Sequence, residues 1–294
     1  MSIFTWFWDN VTKPMDDKRI KTLRVPTLNE TVDVAYLDDS HEHHLLDVYS
    51  PFESDGVLPT IIDVHGGGWY YGDKELNKIY CLNLAERGFK VVNLSYRLAP
   101  NVTLKEQIID VATAINYIYD NASALGIDVN NLFLTGDSAG GHLVSVMVNL
   151  SCDEEMQKVF GISLKAKFNA VCYTCPAFYV QKLATMPVVR SYFSCMLGKK
   201  AQENPIFPYV DFRHDKCDNI PSLFITCDGD FMKGQTIKGY EAYKQTGADC
   251  ELIYFEKDKQ ANKLTHVYNV IQPDWEESKQ ANDRTAQFFN KYLR

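Results

Sequence analysis

Residues 131–142 read Asn131-Leu132-Phe133-Leu134-Thr135-Gly136-Asp137-Ser138-Ala139-Gly140-Gly141-His142, and the fold follows from how that stretch must be built. An apolar strand, Leu132-Phe133-Leu134, runs straight into a segment of helical character, Ala139–Leu150. A turn that sharp forces the residue at its apex, Ser138, into a strained backbone conformation and leaves its hydroxyl clear of the sheet. Gly136 and Gly140 remove the Cβ atoms that would collide where strand and helix approach.

Outward from this junction, short runs rich in β-branched and aromatic residues alternate with longer segments of helical period, which predicts an α/β protein with a largely parallel sheet and crossover helices. The predicted strands are Val32–Leu37, His44–Tyr49, Thr60–Val64, Lys90–Ser95, Asn131–Thr135, Ala170–Thr174, Ser222–Thr226 and Glu251–Phe255, the first two joined as a hairpin across Asp38–His43. The predicted helices are Lys74–Arg87, Leu104–Asn121, Ala139–Leu150, Gly234–Gln245 and Trp275–Tyr292; the second carries Ile108, Val111, Ala112, Ile115 and Ile118 on one stripe. A single domain over 1–294 accommodates them. Residues 1–30 and 177–220 do not fit the alternation, and the length and aromatic content of the second mark it as functional. Both are expected to cover the face that carries Ser138, as a small cap.

The net charge of −8, with basic residues scattered, argues against nucleic acid as a partner. The apolar start Met1–Asn10 lacks a preceding charge and a small-residue cleavage site, and no apolar stretch has the length of a membrane span. A cytoplasmic protein with no membrane partner is expected, and self-association into a homo-oligomer is compatible with the sequence. The eight cysteines lie mostly within apolar elements and are read as core residues in a reducing compartment. Cys172 and Cys175 have metal-like spacing, but three positions apart on a strand they should face opposite ways, so no metal is assigned.

The serine needs partners. His65-Gly66-Gly67-Gly68 leaves the third strand, and a glycine run there brings backbone N–H groups to a reacting carbonyl. With the N–H of Ala139, those of Gly67 and Gly68 form an oxyanion site, each donor worth about 2.7–4 kcal/mol in the transition state. Of seven histidines, His41, His43 and His44 precede the core sheet, His65 belongs to the glycine loop, His142 follows the serine turn and His214 precedes the seventh strand. His266, in a loop after the last strand, is the base whose chain position allows it to reach over the strand ends. The acid that orients it should fall between serine and histidine, just after a strand, and Ile225-Thr226-Cys227-Asp228-Gly229-Asp230 offers two carboxylates. Asp230 is preferred, Asp228 stays open, and Glu256 and Asp258 are weaker choices.

Taken together, His65-Gly66-Gly67-Gly68-Trp69, Ser95-Tyr96-Arg97-Leu98-Ala99-Pro100, Gly136-Asp137-Ser138-Ala139-Gly140-Gly141, Asp230 and His266 resemble, in order, the motifs of the hormone-sensitive-lipase-like branch of the α/β-hydrolases, which includes bacterial carboxylesterases and acetyl esterases. The resemblance implies an eight-stranded, mostly parallel sheet flanked by helices. It also implies an acyl-enzyme mechanism without metal or cofactor, in which Ser138 attacks a small-molecule ester, His266 takes its proton and Asp230 orients the imidazole. Arg97 reads as a packing residue. Trp69-Tyr70-Tyr71-Gly72-Asp73 is similar to esterases of acylated sugars and small formamides, which implies short acyl groups and places Trp69 against substrate. Two departures bear on substrate: Phe231-Met232-Lys233-Gly234 after the acid, where the family often has Pro-Leu and another acid, and Val267-Tyr268 after the histidine, where it usually has Gly-Phe. An amidase or aminopeptidase of the same fold is the alternative, and a catalytically dead binding module the less favoured one.

Overall fold

The computed structural model describes every residue except 1–2, 53–55, 188, 214–216, 218–219 and 260, so His214 lies outside the described residues. Eight strands form one sheet: β1 Asn29–Ala35, β2 Leu45–Ser50, β3 Leu58–Val64, β4 Lys90–Leu94, β5 Ile127–Asp137, β6 Ala170–Thr174, β7 Ser222–Cys227 and β8 Cys250–Phe255, in the order β1-β2-β4-β3-β5-β6-β7-β8. β1 and β2 pair as the expected antiparallel hairpin, β2 meets β4 antiparallel, and every later pairing is parallel. The central strands β4, β6 and β7 are buried along their whole length, as strands covered on both faces must be, whereas edge strand β1 is polar and exposed.

Among the described residues, twelve α-helices accompany the sheet. Before β1 come α1 Ile3–Phe7 and α2 Lys13–Ile20, joined by a π-helical turn over Trp8–Thr12. Then follow α3 Lys74–Ala85, α4 Leu104–Asp120, α5 Ala122–Leu125, α6 Ala139–Leu150, α7 Glu154–Phe160, α8 Val180–Thr185, α9 Arg190–Leu197, α10 Lys233–Lys244, α11 Tyr268–Ile271 and α12 Glu276–Asn290. α4 begins in a reciprocal cap, Thr103 accepting from the Glu106 N–H while the Glu106 carboxylate accepts from that of Thr103. Side chains alternate along β5: Leu132 and Leu134 enter the core under α4 and α6, and Phe133 enters the other core, stacked on Phe289 of α12 at 4.7 Å. Burying one such ring contributes about 1.5–3 kcal/mol, and this two-sided packing holds the strand ends beneath the serine turn.

Among the described residues, the segments that broke the alternation carry short helices. α1 and the π turn lie against α9, Phe4 meeting Tyr192 edge-on at 4.8 Å, and Trp8 stacks on Tyr71 at 5.3 Å. Among the described residues no helix is long and apolar enough to cross a membrane.

The cysteine reading needs two corrections. Cys152 and Cys217 form a disulfide, with Cα atoms 5.9 Å apart; both lie in connections rather than in strands, and the chain brings those connections together. Cys172 and Cys175 do not face opposite ways. Cys175 lies beyond the end of β6 with φ of +46°, which swings it into the same core as Cys172.

Candidate active site

Ser138 stands between β5 and α6 with φ 51° and ψ −116°, a conformation that costs an ordinary residue about 1–3 kcal/mol. Backbone bonds on both sides hold it there: its N–H donates to the Thr174 carbonyl at 2.9 Å and its carbonyl accepts from the Ala177 N–H at 3.0 Å. The neighbouring glycines are sterically required. A Cβ on Gly140 would lie 1.9 Å from the Val64 carbonyl oxygen, and one on Gly136 would lie 2.8 Å from the backbone of Gly140.

The Ser138 Oγ lies 2.9 Å from His266 Nε2, and His266 Nδ1 lies 2.6 Å from Asp230 Oδ1. The structure therefore brings together the three side chains singled out in the sequence. It also separates the two aspartates. Asp230 is buried, and its carboxylate accepts from the Thr226 hydroxyl at 2.7 Å and the Met232 N–H at 2.8 Å. Burial pushes that carboxyl up, but its bonds from His266, Thr226 and Met232 outweigh the burial and hold it below the usual carboxylate value. Asp228 instead faces outward, taking bonds from Lys233 at 2.7 Å, Tyr254 at 2.5 Å and the Lys257 N–H at 2.8 Å, which together keep it well below the usual range. Between them, Gly229 lets the acid turn cross the histidine loop, where a Cβ would meet the Leu264 carbonyl oxygen at 2.0 Å.

None of the other described histidines approaches Ser138. His65 is buried under the glycine loop, its Nδ1–H donating to the Gly66 carbonyl at 2.8 Å and its ring stacked on Tyr96. His142 accepts from the Trp69 indole at 3.2 Å and donates to the Val210 carbonyl at 2.7 Å. Burial lowers both to about 4 and keeps them neutral. His44 is tied to Asp39 at 2.7 Å.

Gly67, Gly68 and Trp69 follow one another with φ of 96°, 61° and 66°. A side chain at Gly67 would strike the Tyr71 carbonyl at 1.9 Å. Both glycines line the same cavity as Ser138, and the Ala139 N–H, first in its helix, has no intrahelical acceptor. Trp69 also lines that cavity, but its indole N–H is committed to His142, which leaves an apolar ring face. Arg97 forks onto Asp110 at 2.7 and 2.8 Å, away from the site.

The cavity measures about 600 Å³ and is lined on its far side by Trp8, Leu183, Val189, Tyr192 and Phe193. Tyr192 and Phe193 belong to the aromatic content that marked 177–220 in the sequence, whereas Trp8, Leu183 and Val189, from short helical turns and the turn before α9, carried no signal of their own. Phe231, marked in the sequence as a departure after the acid, is 77% exposed with its ring 4.3 Å from that of His266, whereas the buried pair Asp63 and Asp137, bridged by Asn77 at 2.9 and 2.8 Å, had no signal in the sequence. Cys175 Sγ, an Asp230 oxygen and a His266 nitrogen lie within 4.8 Å of one another, the one group of metal-binding types found among the described residues. The bond already made between Asp230 and His266 accounts for their closeness.

The BD-FAE family model matches residues 46–209. Among curated proteins, the versiconal hemiacetal acetate esterase of Dothistroma septosporum is 33% identical over 76% of this chain and 71% of its own length. A probable isoprenylcysteine alpha-carbonyl methylesterase of Oryza sativa subsp. japonica is 33% identical over 72% of this chain and 52% of its own. The chain spans between 25% and 53% of the length of the plant methylesterases it matches. Among solved structures, an inhibited esterase B from Lactobacillus rhamnosis superposes with a TM-score of 0.90 at 28% identity, covering 98% of this chain and 95% of that one.

Proposed function

The chain belongs to the BD-FAE family, and from that premise we propose that it is a serine carboxylesterase of the α/β-hydrolase superfamily that cleaves small esters with short acyl chains. The observation that carries this reading is the unbroken hydrogen-bonded line Ser138–His266–Asp230 at the wall of the cavity. Residues 1–294 are taken as one domain, with a two-part cap from 1–30 and 177–220.

In this mechanism the Ser138 Oγ attacks the ester carbonyl carbon while its proton passes to His266 Nε2. Asp230, held ionised by its three donors, accepts from Nδ1–H, fixes the tautomer that leaves Nε2 free, and stabilises the imidazolium. The N–H groups of Gly67, Gly68 and Ala139 receive the developing oxyanion. Collapse of the tetrahedral species breaks the bond to the alcohol, which leaves with the proton from His266; water then repeats the sequence on the acyl-enzyme and frees the acid. Each step moves only protons and one acyl group, so the cycle calls on no redox partner.

The far wall supports an uncharged substrate. Leu183, Val189 and Phe193 offer apolar surface, which suits an apolar acyl or alcohol portion better than an acetylated sugar. The acetate ester named for the Dothistroma relative supports a short acyl group.

The test is turnover of p-nitrophenyl esters from acetate to octanoate beside an aminoacyl-p-nitroanilide. The wild type should hydrolyse the short esters and leave the anilide largely intact, and Ser138→Ala should lower kcat by about 10⁶-fold. Hydrolysis retained by the alanine variant would overturn the nucleophile, and a preference for the anilide would move the enzyme to the amidases.

A further inference from the structure

The carbonyl oxygens of the glycine loop are pinned from two directions. That of Gly66 accepts from His65 Nδ1 at 2.8 Å, and that of Gly67 from the Tyr70 and Tyr71 N–H groups at 3.2 and 3.1 Å. That of Trp69 accepts from Gln107 at 2.8 Å and the Ala99 N–H at 2.9 Å. All these donors belong to the glycine loop, the strand ends or α4. The Gly68 carbonyl is different, because its donor is the hydroxyl of Tyr192 on α9, across the cavity.

Tyr192 is itself held from two sides. The Tyr70 hydroxyl donates to its backbone carbonyl at 2.6 Å, and the Trp8 ring lies beside its hydroxyl at Gly68. The three meet closely: a Cβ on Gly68 would lie 2.5 Å from the Tyr192 hydroxyl and 2.9 Å from the Trp8 ring. A relay of contacts therefore runs from the N-terminal segment through α9, ending in the Tyr192 hydrogen bond to the glycine that supplies an oxyanion donor.

Gly67, Gly68 and Trp69 all have positive φ and form no regular ladder, so each peptide plane is set by the partner of its own carbonyl. The plane after Gly68 depends on its carbonyl bond. We infer that Tyr192, backed by Trp8, is a positioning residue for the oxyanion site: with the relay formed, the Gly67–Gly68 backbone is held in its donating geometry, and without it the site loosens while Ser138, His266 and Asp230 stay in place. This rests on the acyl-transfer reading, and it makes the covering segments part of the catalytic apparatus as well as walls of the pocket.

Tyr192→Phe keeps the ring and removes only the hydroxyl. With p-nitrophenyl acetate, kcat should fall about tenfold while KM stays within about twofold, because the interaction lost is one the transition state uses more than the ground state. Inactivation by an alkyl phosphonate ester, which places an oxyanion in the same site, should slow in parallel. Hydrogen–deuterium exchange of amides 66–70 should quicken, giving a readout independent of turnover. Trp8→Phe should act in the same direction, and the double variant should lose little more than Tyr192→Phe alone. Should Tyr192→Phe unfold, Trp8→Phe carries the same three readouts. Unchanged exchange at 66–70, or a rise in KM with kcat intact, overturns the inference and leaves Tyr192 as pocket wall. A wild type that turns over no ester refutes the proposed reaction, while the exchange data still decide whether Tyr192 anchors the loop.

Discussion

The two walls of the cavity are built on different principles. On the sheet wall, geometry is enforced by steric necessity: Ser138 in a conformation few residues tolerate, Gly140 packed where a Cβ would sit 1.9 Å from a carbonyl, and Gly229 under the histidine loop where a Cβ would sit 2.0 Å from another. On the cover wall, Trp8, Leu183, Val189 and Phe193 come from short helical elements and the turn before α9, and ring contacts between 4.5 and 6.0 Å join the two covering segments to each other and to the glycine loop. Backbone strain leaves no latitude, so it suits groups that must meet within a hydrogen-bond length. Apolar packing tolerates substitution of similar volume, so it suits the part of a site that selects among substrates. The difference assigns chemistry to one wall and selectivity to the other, and Tyr192 is the point at which they touch.

After Ser138 itself, the largest effect should come from the same sheet wall, at two carboxylates two residues apart. Asp230→Asn should lower kcat by about 10⁴-fold, because an amide at that position favours the wrong imidazole tautomer. Asp228→Asn should leave kcat within about twofold, since its bonds go to Lys233, Tyr254 and Lys257 at the surface and exposed pairs of this kind contribute little. Steady-state kinetics on one ester decide this, and comparable losses in both variants would place the orienting carboxylate elsewhere.

These aspartates also show how far a sequence can be read. The strand–serine–helix junction was legible because the steric demand of the turn leaves a direct trace in residue type, and the central strands because burial on both faces leaves β-rich runs such as Val171-Cys172-Tyr173. Asp230 was legible only as a preference. What separates it from Asp228 is which way each side chain leaves a three-residue turn around Gly229, a property of the backbone path and not of composition. The cover was legible only as a region. α8 and α9 are too short to display a stripe, and the partners that bury Tyr192, from Phe4 to Tyr70, lie more than a hundred residues away. The disulfide between Cys152 and Cys217 escaped for the same reason, its halves being 65 residues apart in connections with no pattern of their own.

A smaller effect is expected on the cover wall. Leu183 of α8 is half-buried and lines the cavity, so Leu183→Ala should enlarge the pocket with little loss of core. The p-nitrophenyl ester profile should shift toward longer chains by one to three carbons, with kcat/KM for the longer esters rising about tenfold and the acetate rate nearly unchanged, in line with about 1–3 kcal/mol per methylene in an apolar pocket. A uniform loss across all chain lengths would mean that the cover wall supports the catalytic geometry through more residues than Tyr192, and the division between the walls would then be too sharp.

The smallest effect lies beneath the sheet wall and concerns stability. Asp63 is buried beside Asp137, and burial together with that neighbouring charge raises it to about 8 from an ordinary 3.8. Between about pH 4 and 8 the folded chain therefore keeps a proton that the unfolded chain has lost, and stability falls as pH rises through that window, by about 1 kcal/mol per unit. His65 and His142 act with the opposite sign. Buried and lowered to about 4 from 6.5, they remain neutral when folded while the unfolded chain takes up two protons, so stability falls as pH drops from about 6.5 towards 4. Two histidines outweigh one carboxyl below 6.5, and above it the carboxyl acts without them. Urea unfolding at pH 5, 6.5 and 8 should therefore show a maximum near 6.5 and a decline of about 2 kcal/mol by pH 8. In Asp63→Asn, where Asn77 still donates to Asp137 at 2.8 Å, the decline above 6.5 should disappear while the acid side is unchanged. If it persists, the proton is held by another group, and Asp137, raised in the same sense by burial, is the one to substitute next.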